Sequence, residues 1–206
     1  MWTRVSKIIQ LLNFKMKNPR QDRIGGNFTL GSSDAGITIE GPIAKGHSFM
    51  FSYRRSYLQF LFQLIGLPFL PTYDDFQLKY KAKINDKNEI TVIGLGAIDQ
   101  FKLNLADDLD EDQKRLVAVL PVNNQWNYAL GVNWKNYRET GYSEFVVSRN
   151  MLNNEAFKYE DNIVADANLN LNYKSQEIEN KLRVENNWRK NGWKIKPISV
   201  DKMPKS

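Results

Sequence analysis

The strict period of two between Ile24 and Arg55 constrains this chain more than any other feature. Phe28 and Leu30 alternate with Thr29 and Gly31, and Ile37 and Ile39 with Thr38 and Glu40. Phe49, Phe51 and Tyr53 alternate with Met50, Ser52 and Arg54. Only an extended strand sends successive side chains to opposite faces. Ser32-Ser33-Asp34 and Ala44-Lys45-Gly46 have turn composition. Three short strands joined this tightly pair as antiparallel neighbours.

The remainder repeats the plan with longer strands. Asp74 to Ile84 sends Phe76, Leu78, Tyr80, Ala82 and Ile84 one way and Gln77, Lys79, Lys81 and Lys83 the other. Asn85-Asp86-Lys87-Asn88 reads as a tight turn, and Glu89 to Leu103 as the returning strand, loosened by Gly94 and Gly96. Within Asn123 to Arg138, Trp126, Tyr128, Leu130, Val132 and Trp134 share a face. Tyr142 to Asn150 returns after Glu139-Thr140-Gly141. Met151 to Ala167 reads as a long polar loop, and Leu169 to Lys190 as one long strand. Asn191-Gly192 is a hairpin signal, followed by Trp193 and Ile195. After Pro197 the pattern stops. Two connections break the alternation. Tyr57, Phe60, Leu61, Leu64 and Ile65 recur at helical spacing, which reads as a short amphipathic helix packed on its own protein. Ala106 to Pro121 reads as an acidic loop with a helix. Its Asp107, Asp108, Asp110, Glu111 and Asp112 lack the glycine and distal glutamate of a helix-loop-helix calcium site, and fit the positive end of a helix instead.

The fold class expected is therefore all-β: an antiparallel up-and-down meander of about eight or nine strands, with a short helix in each of two long loops. The connections sort by length. Tight turns fall at Lys45, Asp86, Thr140 and Asn191, while Ser56–Tyr73, Asn104–Val122 and Met151–Asn168 are long; Ser32–Ala35 alone is short on the long-loop side. Tight turns on one rim and long loops on the other are the arrangement of transmembrane barrels, and a soluble meander has no reason for it.

Composition narrows the function. The net charge of +6 raises nucleic-acid binding, but the cations are interleaved with carboxylates, so no nucleic-acid partner is expected. No cysteine is present, which removes disulfides and thiolate metal sites. The single histidine, His47, sits in a turn with no catalytic arrangement around it. There is no phosphate loop, metal-ligand cluster or dinucleotide fingerprint, so the expectation is no enzyme, no cofactor, no metal and no assignable ligand-binding residue. Ile8 to Leu12 is too short for a secretory signal core.

GGNFTLGSSDAGITIEGPI followed by SFMFSYRRSYLQFL resembles the first barrel strands of TonB-dependent receptors, the active transporters of the outer membrane, and the likeness runs from about Leu11 to Lys194. The resemblance implies three regions. Residues 1–23 would be an N-terminal segment, in which Leu12, Phe14 and Met16 could be the last plug strand; 24–196 a partial β-barrel; and 197–206 an irregular tail. It implies an outer-membrane location, lipid as partner, and a parent that imports a large ligand energised by TonB through a plug domain. Full members have about 22 strands; this chain has too few to close a wide barrel, so it reads as a barrel fragment that does not transport alone. Lys79, Lys81, Lys83, Arg183 and Glu185 would then face the lumen. The alternative is a small closed barrel with the Phe76/Leu78/Tyr80 and Trp126/Tyr128/Trp134 faces turned inward on a hydrophobic ligand.

Overall fold

The computed structural model describes residues 16–105, 109–190, 193–195 and 197–203. Leu12, Phe14, Asp107, Asp108 and the Asn191-Gly192 turn lie outside them. One ten-stranded antiparallel sheet holds β1 (Gly25–Leu30), β2 (Asp34–Ala44), β3 (His47–Ser56), β4 (Phe69–Lys83), β5 (Asn88–Leu103), β6 (Val122–Arg138), β7 (Gly141–Tyr159), β8 (Leu169–Lys190), β9 (Trp193–Ile195) and β10 (Ile198–Met203). β1 to β8 pair in chain order as a meander. β9 and β10 both pair with β8, at different points along it. The first and last described strands do not pair, so the sheet is open.

The local causes are those of the sequence. At the β2–β3 turn Gly46 has φ +77°, a left-handed conformation that a side chain resists, and a Cβ added there would lie 3.0 Å from the Lys83 carbonyl oxygen. Asn85 Oδ1 accepts from the backbone N–H groups of Lys87 and Asn88, which folds the β4–β5 turn on itself. Lys83 Nζ donates to Asp86 Oδ1 at 2.7 Å there, and that bond holds the Asp86 carboxyl below the usual carboxylate range. β4 starts at Phe69, ahead of the expected Asp74. Pro71 is tolerated because the β3 ladder ends at Arg55 opposite Asp74, so β4 is an edge strand beyond that point.

Both expected helices form, α1 (Leu58–Leu64) and α2 (Glu111–Val119). In α2, Asp110 Oδ1 accepts from Gln113 N–H while Gln113 Oε1 accepts from Asp110 N–H, a reciprocal cap. Three expectations need correction. The long polar loop placed at Met151 to Ala167 is mostly strand: β7 runs on to Tyr159, because its polar residues find partners on β8, such as Glu155 with Lys174. The tail beyond Pro197, expected to be irregular, forms β10 on the edge of β8, where Ile198 to Met203 face Glu185 to Asn180. Finally, the apolar side of α1 is not packed on the protein. Leu64 is 82% exposed and Phe60, Leu61 and Ile65 are exposed as well, while Leu58 and Phe62 are half-buried, Phe62 edge-on to Phe69 at 5.5 Å.

No second layer covers the sheet. Among the described residues the buried apolar side chains, two prolines aside, are Met50, Ala82, Leu109 and Val117. A soluble domain of this length would bury an entire face of its sheet.

Candidate functional site

Register sorts the side chains of β1–β8 into two faces, because paired residues share a face and neighbours in sequence do not. Successive rungs of one face read Phe51–Leu78–Gly94–Leu130, then Tyr53–Phe76–Gly96–Tyr128–Met151–Ile178, and in the other direction Phe49–Tyr80–Val92–Val132–Val147–Leu182. Phe28, Ile37 and Ile39 extend this face onto β1 and β2, and Trp134, Phe145 and Val184 extend it along β6 to β8. These side chains touch one another across the rungs, as in the stacked Trp134–Phe145 pair with centroids 5.2 Å apart, but their outer sides are bare. Leu130 is 47% exposed and Val147 51%. Ile90 to Ile98 covers about 27 Å along an antiparallel strand at ~3.4 Å per residue, which tilted by 35–45° is a band on the order of 20 Å tall.

Polar groups bound this band at both ends. Toward the long loops, Arg55 pairs with Asp74 at 3.3 Å and Lys174 with Glu155 at 2.6 Å. Toward the tight turns, Trp134 Nε1 donates to Asn88 Oδ1 at 3.0 Å, and Ser143 Oγ donates to Asn186 Oδ1 at 2.6 Å. Trp126 and Tyr128 lie near the first margin, Trp134 and Trp188 near the second. Within the hydrogen-bond ladder the band drifts, from the rung of Phe28–Ile37–Tyr53 at β1 to those of Val147–Leu182 and Phe145–Val184 at β8. Arg149 and Asn180 interrupt the band on β7 and β8: they continue the Leu78–Gly94–Leu130 rung, between the rungs of Val147–Leu182 and Met151–Ile178.

The other face is polar. The sequence-predicted set Lys79, Lys81, Lys83, Arg183 and Glu185 all lies on it, toward the tight turns, although Lys79 and Arg183 sit at opposite sides of the sheet. Lys81 pairs with Glu89 at 3.1 Å and Arg183 with Glu185 at 3.2 Å. Lys79 is only 7% exposed. Its Nζ donates to the carbonyls of Met16 and Lys17 and to Asn18 Oδ1, at 3.0, 3.1 and 3.0 Å. Lys17 Nζ in turn meets Glu40 at 2.6 Å. The segment from Met16 to Pro19 is thereby seated on the polar face over Met50, which explains why that methionine is buried there. His47, at the β2–β3 turn, is half-buried with Nδ1 2.6 Å from Tyr80 Oη.

Sequence reasoning missed the long-loop half of the polar face. There Tyr73, Asp99, Gln125, Asn154 and Ser175 form a single rung across five strands. Above it lies the rung Pro71–Phe101, then Ala156–Tyr173. The two rungs line a trough of about 530 Å³. Arg54 is paired with Asp75, lies 3.9 Å from Asp34 and covers the Tyr73 ring, whose hydroxyl donates to Asp34 at 2.9 Å. The signal that could have found this rung is the set of turn positions, which fixes the register of every strand pair.

Among the described residues no group of histidine or carboxylate side chains is placed to hold a metal ion, and no helix is long and apolar enough to cross a membrane, which says nothing of strands. Fold and site together define an all-β meander sheet with one bare apolar face and one polar face. No family model matches the chain, and neither a curated protein nor a solved structure matches it.

Proposed function

We propose that this chain forms part of the wall of an outer-membrane β-barrel, with the apolar face against lipid and the polar face toward the lumen. One observation carries the reading: a bare apolar band runs across eight consecutive strands with no layer over it, bounded at both ends by polar and aromatic residues. In water such a face is a large unpartnered patch; in lipid it is the ordinary exterior of a barrel, apolar over about 25 Å with aromatic girdles. Its drift along the ladder supports the same reading, because a level belt cut across tilted strands moves along each successive strand. Both open edges must be paired in lipid, so the barrel is completed by further strands. The more specific reading, a TonB-dependent receptor that imports a large ligand, rests on the sequence likeness. The segment seated on the lumenal face through Lys79 agrees with it.

Tryptophan quenching tests the proposal. The chain is refolded into phosphatidylcholine vesicles whose acyl chains are brominated, and variants retaining only Trp126, Trp134 or Trp188 are compared. Strong quenching of all three is expected. A chain that is soluble and monomeric in plain buffer, with tryptophans that brominated lipid leaves unquenched, overturns the membrane reading.

A further inference from the structure

The trough on the polar face is built for one kind of chemistry. Gln125 and Asn154 lie side by side on its central rung, and Asn123 lines the same wall. Side-chain amides both donate and accept, as hydroxyl groups do. Asp99, beside Gln125 on that rung, has no hydrogen bond or ion pair among the described residues. Its carboxylate can accept two hydroxyl donors at once. Tyr73 and Tyr173 flank the trough on opposite sides; Arg54 covers one face of the Tyr73 ring, and Tyr173, 52% exposed, offers a flat apolar face. A separate trough of about 590 Å³ lies toward the tight turns, where Leu95, Ala129 and Leu152 line it beside Asn127, Asn150 and Glu177. Both volumes fall in the range of small-molecule sites, about 300–1,000 Å³.

Charge narrows the occupant further. Of the cations of this half, Arg54 is committed to Asp75 and Asp34 and Lys158 to the Val117 carbonyl and Asn162, while Asp99 stands unpaired among the described residues, so an anion finds no counter-charge. What remains unmet is hydrogen-bonding capacity beside aromatic faces. We propose that the trough between Tyr73 and Tyr173 is a binding groove for an uncharged polyhydroxylated chain, an oligosaccharide. Entry is from the long-loop rim. There α1 is tethered to this face by the contacts of Phe62 with Phe69 and of Phe69 with Phe101, and Gln113 Nε2 donates to the Gly66 carbonyl at 2.5 Å, which joins the two helical loops. The inference rests on the barrel-wall reading, since it takes this face to be the wet one.

The test uses the full chain refolded in lauryldimethylamine oxide micelles, a detergent without a sugar head. Maltohexaose, cellohexaose and mannohexaose are the probes, with trigalacturonate and spermine as charged comparisons. Saturation-transfer NMR reports contact and calorimetry reports affinity. At least one neutral hexasaccharide is expected to bind, and Asp99→Asn and Gln125→Ala each to weaken it by about tenfold. Phe76→Leu, on the opposite face, leaves the affinity unchanged. Two variants guard against a folding defect in either, and far-UV circular dichroism shows that each retains its β signal. Absence of transfer to all three neutral sugars, with β signal and brominated-lipid quenching intact, overturns the groove and leaves the wall reading standing. Binding of spermine or trigalacturonate in their place overturns it equally. Loss of the β signal in micelles overturns the wall reading and the groove with it.

Discussion

Gln77 and Leu78 are adjacent in β4 and both exposed, yet they belong to opposite faces. Leu78 sits on the rung between Phe51 and Gly94, in the middle of the apolar band. If that face lies in hydrocarbon, Leu78→Arg puts a guanidinium near the bilayer midplane, at a cost of about 2–4 kcal/mol. That lowers the folded-to-unfolded ratio by roughly 30- to 700-fold, at about 1.4 kcal/mol per factor of ten. Gln77→Arg, on the polar face one residue away, falls within about 0.5 kcal/mol of the parent, as an exposed substitution does in water. Leu78→Gln separates lost packing from charge, since the leucine is already 38% exposed and shares the remainder with its neighbours. The measurement is urea unfolding of each variant in phospholipid vesicles, followed by tryptophan fluorescence. Leu78→Arg and Gln77→Arg unfolding within about 0.5 kcal/mol of each other would refute the assignment of faces.

Other expectations follow from single contacts. Gly46→Ala forces a side chain into left-handed backbone and costs about 1–2 kcal/mol, read in the same vesicle unfolding assay. Lys79→Met removes the three hydrogen bonds that hold Met16 to Asn18, so trypsin cleaves after Lys17 faster than in the parent; equal cleavage rates would show that the segment is held by something else. The Asp86 carboxyl, depressed by its bond from Lys83, contributes turn stability that is present above the unfolded carboxylate pKa and is lost as pH falls through the lower, folded one. The Asp86 carboxyl carbon resonance should therefore titrate below the free-carboxylate midpoint in the parent, and at that midpoint in Lys83→Met.

What the sequence made legible was what alternation can carry. β1 to β3, β5, β6 and β8 lie close to where the period of two put them, since one face of each is apolar and a one-residue slip would reverse it. Alternation fails where neither face is apolar. The extension of β7 holds Asn153, Asn154, Glu155 and Lys158, and reads as a loop until β8 supplies its partners. β10 was hidden in the same way, behind Pro197. The spacing of Phe60, Leu61, Leu64 and Ile65 gave the helix correctly, but periodicity says which residues share a side and nothing of what covers it. The Tyr73–Asp99–Gln125–Asn154 rung was illegible for a different reason. Its members come from four strands and meet only through register, so none of them stands out locally.

Each of β2 to β7 pairs only with the strands before and after it in sequence. Every pairing of β1 to β8 is therefore closed by one connection, and loop-closure entropy stays small and similar from one step to the next. Such a sheet can assemble as a zipper in which each new hairpin adds to the edge left by the last, rather than waiting for distant segments to meet. Its width is then set by where the edge is finally covered, and not by any contact inside the sheet.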